Sequence, residues 1–199
     1  MRGRARGDAG QAFPIYITVV GGLLFLAFAY LAVGQAAANK NGAQTAADAA
    51  ALAAAQDRRD QLADQWVTDV LDPTKWQDIF DGNAEGLDPS CGRAEQLAAQ
   101  NDAVVLACAP EGLLAYTVEV RTNKSVGESV IPGTENKQSK ASATAEIESL
   151  CTFEPPAEDA EDDVLPRLTC KDGENWDLDP EDLGDLPKPE DLFDVHLAD

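Results

Sequence analysis

The chain has 199 residues, of which 15 are basic and 36 acidic, giving a net charge of −21. A surface this negative repels phosphate backbones and excludes DNA and RNA as partners. The hydrophobic fraction is 44%, but much of that is alanine plus one apolar block, and aromatic residues are only 6%. A large buried core is therefore excluded, and a small domain of this kind needs a staple.

Residues 1–12 form a basic N-terminus carrying Arg2, Arg4 and Arg6. The stretch Phe13 to Val33 contains no charged residue. As a helix it spans roughly 30 Å, the thickness of a bilayer's hydrocarbon core. Pro14 falls in the first turn, where its missing N–H is harmless. Tyr16 and Tyr30 lie near the two ends, at interfacial depth. These features predict a transmembrane helix over residues 13–35. With three arginines before the span and only Lys40 close behind it, the positive-inside rule leaves the N-terminus in the cytoplasm and everything later outside. The competing reading is a signal peptide cut after Ala38. The apolar block is too long for an ordinary signal core, and helix-forming sequence runs on through that site.

Residues 36–72 read as an alanine-rich extracytoplasmic helix. The patch Asn39-Lys40-Asn41-Gly42 is a candidate kink. Ala43, Ala47, Ala50 and Ala54 line a small-residue face on which another helix could pack closely. The bland alternative is a solvated helix of high propensity. Further on, Leu62, Trp66 and Val70 recur every four residues, with Ala63, Val67 and Leu71 beside them. Asp72-Pro73 ends the helix, because Asp before Pro leaves the α region.

The residues so far resemble a known module. Arg6-Gly7-Asp8-Ala9-Gly10-Gln11-Ala12 leads into one apolar span, and Ala43-Gln44-Thr45-Ala46-Ala47-Asp48-Ala49-Ala50-Ala51-Leu52-Ala53 follows it. This is similar to the N-terminal module of the TadE/TadG-like proteins of the Flp (tight adherence) pilus-assembly system, over about residues 7–56. The resemblance makes Gln44, Ala46, Ala47, Asp48, Ala50 and Leu52 the family's helix-packing box. It implies a role in a pilus or secretion apparatus, with other membrane subunits of that apparatus and further copies of the chain as partners. Type IV pilins carry a glutamate at the fifth position after the processed glycine. Here that position is Ala12 counted from Gly7, or Ile15 counted from Gly10. The resemblance thus points to the uncleaved, TadG-like branch. Larger relatives add a von Willebrand-type metal-binding domain, but no D-x-S-x-S string occurs here.

Residues 73–153 read as a small disulfide-stapled domain. Residues 74–81 suit a short helix, and 81–92 are rich in turn residues. Ala103 to Ala107 and Leu113 to Thr122 read as strands, joined by a hairpin at Pro110-Glu111-Gly112. Residues 123–138 read as a loop. Ser139 to Leu150 alternates again, with Ala141, Ala143, Ala145 and Ile147 on one face. These small residues suit close packing on the long helix. The predicted class is α+β: a long N-terminal helix, partly in lipid, packed on a small antiparallel sheet. The four cysteines, Cys91, Cys108, Cys151 and Cys170, all follow the span, and an exported even set points to disulfides. Three pairings are open. Short loops favour Cys91–Cys108 with Cys151–Cys170.

Residues 154–199 are acidic and proline-containing, which predicts a largely disordered tail. Asp191 to Leu197 suits at most a transient helical turn.

Catalytic signatures are missing. The single histidine, His196, sits near the chain end, and there is no G-x-S-x-G, P-loop, H-E-x-x-H or C-x₂-C. No cofactor, metal or catalytic residue is expected. The leading function is a non-enzymatic, single-pass component of a Flp-type apparatus. The alternative is a membrane-tethered or secreted binding protein whose acidic tail engages a basic partner.

Overall fold

The structure, a computed structural model, describes residues 12–125, 137–155, 165–171, 173 and 175–198. The predicted loop over 123–138 lies mostly outside these residues.

Helix α1 runs unbroken from Ala12 to Thr68. It passes through the Asn39–Gly42 patch as helix. Its first part projects alone, with Ile15 to Val33 exposed on every side. A stripe that is apolar all round suits lipid, not water. This helix is long and apolar enough to cross a membrane. Its second part carries the domain. The helix ends at Thr68, five residues before Pro73 and a few residues earlier than the Asp72-Pro73 pair predicts.

A short 3₁₀ turn, Pro73–Lys75, leads into α2, Trp76–Phe80. At Gly82 the chain turns with φ +82°, and a Cβ there would lie 2.8 Å from a Leu114 methyl carbon, so both backbone and space require glycine. Helix α3, Cys91–Gln100, follows. Gln61 of α1 fixes its entry: its amide donates to the buried Ser90 hydroxyl (3.3 Å) and its carbonyl accepts from the Asp88 N–H (2.6 Å). No helix was expected here from sequence.

Strands β1 (Ala103–Pro110), β2 (Ala115–Thr122) and β3 (Lys140–Ser149) form an antiparallel sheet. The β1–β2 hairpin turns where Pro110-Glu111-Gly112 predicts. Tyr116, Val118 and Val120 face inward and are buried, as their alternation requires. Ala145 and Ile147 are buried, while Ala141 and Ala143 are half-buried against the core. The sheet and α1 make two layers, with α3 packed on α1 beside β1.

The tail departs from the sequence reading. Beyond residues 156–164, which lie outside the described residues, the chain folds back onto the domain. Strands β4 (Cys151–Thr152), β5 (Leu168–Cys170) and β6 (Asn175–Trp176) form a second small sheet. A one-turn helix α4 (Pro189–Leu192) then precedes β7 (Phe193–Leu197). Strand β7 pairs antiparallel with β3, completing the order β1-β2-β3-β7. Composition misled because sparse apolar residues do the anchoring: Leu168, Leu192 and Phe193 are fully buried. Asp191 to Leu197 is accordingly a helix end and a strand, not a transient turn.

The two disulfides are Cys91–Cys108 and Cys151–Cys170. The first ties α3 to β1. The second bridges directly paired residues of β4 and β5.

At the far end of α1 an aromatic cluster closes the core. Trp66 meets Trp76 at 5.3 Å, Trp76 meets Phe153 at 5.2 Å, and Phe80 meets Phe193 at 5.5 Å between ring centres. The Leu62–Trp66–Val70 stripe is buried as predicted, whereas its neighbours Val67 and Leu71 are exposed. The α1 stripe is thus narrower than the sequence implied. Nearby, hydrogen bonds from the Lys75 ammonium and the Gln65 amide hold the Asp69 carboxyl below the usual carboxylate range.

Candidate functional site

The box on α1 is a packing surface. Ala43, Ala46, Ala47, Ala50, Ala51, Ala54 and Ala55 are fully buried. Their methyl groups let the helix backbone lie close to β2 and β3, as small residues do at tight interfaces. The sequence reading placed another helix on this face, and homo-oligomer contact through it. Within the chain, the sheet and helix α3 both pack on α1, and these alanines are buried there. Three of the four inward residues of β3, Ala141, Ala143 and Ala145, are themselves alanines, so both surfaces are thin there and fit each other.

The rest of the box flanks that face. Gln44 is exposed, and its amide donates to the Asp48 carboxylate (2.7 Å) and approaches the Ser142 carbonyl (3.5 Å). Asp48, which looked isolated among alanines, is half-buried and has Gln44 as its i−4 partner. Leu52 is half-buried against the core. The box residues that come together are therefore Gln44 with Asp48 at the edge, and Ala46, Ala47 and Ala50 beneath the sheet.

Close packing makes this face intolerant of volume. Ala50→Leu is expected to cost about 1–3 kcal/mol, because the added carbons have no space without moving helix from sheet. Chemical denaturation of the full chain in detergent checks this. Gln44→Ala, at an exposed site, should change the midpoint little.

A second cluster was not foreseen. On the outer face of β3 and β7, ligand atoms of Glu148, Asp194 and His196 lie within 4.8 Å of one another. His196 Nδ1 sits 3.0 Å from Asp194 Oδ2, in a strand and not at a frayed end. All three side chains are exposed, and Glu148 is ion-paired with Lys171. The cluster lies on an open surface and makes no enclosed site.

These features define a class: a protein with one helix, among the described residues, long and apolar enough to cross a membrane, which continues uninterrupted into the core of a small disulfide-bonded α+β domain. The family described as putative Flp pilus-assembly TadE/G-like matches over residues 10–57. That segment takes in the span and the whole alanine box, so the N-terminal quarter of the chain carries the family's module. The match supports a pilus-related role in general and fits a membrane protein. No curated protein and no solved structure matches the chain.

Proposed function

We propose that the protein is a non-enzymatic, membrane-anchored component of a Flp/Tad-type pilus-assembly or secretion apparatus, of the minor pilin-like TadE/TadG kind. The supporting observation is that the matched segment is one helix, lipid-suited at its start and built into a folded domain at its end. Residues 1–12 lie in the cytoplasm and the domain lies outside, as the arginines before the span favour. Two disulfides suit that oxidising side. The work is mechanical: the span holds the domain at the membrane, and the domain's surface meets other subunits of the apparatus.

Affinity purification from solubilised membranes tests this. Recovery of the chain with its N-terminal residues intact, together with pilus-assembly subunits, is expected. In intact cells, added protease should reach the domain. Recovery free of any such subunit would sink the proposal.

A further inference from the structure

We propose that the end of the domain nearest the span docks on anionic phospholipid headgroups through Lys40, Arg121, Lys124, Lys137 and Lys140. The inference rests on the reading of α1 as a membrane helix.

Position comes first. The Asn39 side-chain amide donates to the Lys124 carbonyl (3.2 Å), and the Thr122 hydroxyl donates to Asn39 (3.4 Å). Five residues further along α1, Gln44 reaches the Ser142 carbonyl. Strand β3 therefore climbs beside α1 away from the membrane, and Lys140 is at its foot. Asn39 lies six residues past Val33, about 9 Å along the helix axis. The headgroup layer on each side is roughly 5–8 Å thick. The foot of the sheet thus stands at the outer edge of that layer, within reach of long lysine side chains.

Charge comes second. These five residues are a third of the chain's 15 basic residues, gathered at one end of a molecule with a net charge of −21. Asp102 pairs with Lys124 (2.7 Å), and Glu119 pairs with Lys140 (3.3 Å). Among the described residues, no carboxylate lies within ion-pair distance of Lys40, Arg121 or Lys137. The sequence between, 126–136, adds only Glu128 and Glu135. Among the described residues these five cations pair only with Asp102 and Glu119, in a chain that is strongly acidic as a whole.

Register comes third. Arg121 and Lys140 are directly opposed across β2 and β3 on the outer face. Like charges so placed destabilise a sheet, and an external anion between them reverses that effect. The positive-inside rule does not oppose this arrangement. It counts residues close to the span in sequence, and four of these five are remote from it.

The test uses the full chain in nanodiscs of phosphatidylcholine alone or with phosphatidylglycerol, read by amide hydrogen exchange over residues 120–125 and 137–142. Each basic residue near an anionic surface contributes about fivefold to docking. Exchange at these amides should slow about tenfold or more in the anionic discs. The slowing should vanish in high salt, which screens exposed charge. It should also vanish in the triple variant Lys124→Gln, Lys137→Gln, Lys140→Gln, and persist in Lys75→Gln. Equal exchange in both discs, or protection that survives the triple variant, overturns headgroup docking and leaves the membrane anchor standing. Failure to incorporate into either disc overturns the anchor, and docking with it.

Discussion

Trp66→Ala should lower the unfolding free energy by about 3–5 kcal/mol, the largest loss expected from any single side chain here. Trp66 is fully buried and touches Trp76, which in turn packs on Phe153. Through that contact the end of α1 supports α2 and the residue that follows β4. Trp66→Phe is the informative control. The Trp66 indole N–H is buried without a hydrogen-bond partner among the described residues, while that of Trp76 donates to the Asp69 carbonyl. Removing an unpaired donor offsets part of the lost ring area, so Trp66→Phe should cost less than ~2 kcal/mol. Guanidinium unfolding of the full chain in detergent, followed by circular dichroism, gives both values. Equal losses for the two variants would show that the rings do not pack as described.

Opening the second disulfide has the next largest effect. Cys151→Ser with Cys170→Ser should cost about 3 kcal/mol on the chain-entropy estimate for a loop of this size. The residues are 19 apart in sequence, against 17 for Cys91 and Cys108, so the two staples should contribute alike to global stability. They should differ locally. Only Cys151–Cys170 holds β5, and with it the return of the tail towards α4 and β7. Its loss should make the chain beyond Phe153 the first site of limited proteolysis. Loss of Cys91–Cys108 should expose the α3–β1 segment instead. Cleavage in the same place for both variants would contradict this division.

Much of the architecture was legible because the patterns were strong. A run of 21 residues without charge, from Phe13 to Val33, reads as one long apolar helix, and the strict alternation of Tyr116, Val118 and Val120 left one face for the core. Helix α3 was hidden by scale. It buries only Ala94 and Ala98, and Gly92 in its first turn reads as a turn residue. Strand β7 was hidden by its surroundings. Phe193, Val195 and Leu197 do alternate with Asp194 and His196, but the stretch is five residues long in an acidic tail. Pairing with β3 decides the matter, and such pairing is a property of the folded domain. The box on α1 reads as a packing surface, and its alanines Ala46, Ala47 and Ala50 are buried within the chain's own fold. Small residues announce close approach without saying what approaches.

The unbroken run of α1 from Ala12 to Thr68 gives the molecule the mechanics of a shaft. A tug or twist on the outer domain is not absorbed by a flexible tether. It passes along a hydrogen-bonded rod to the apolar end of the helix, so the angle at which that end leans also sets the direction in which the domain points.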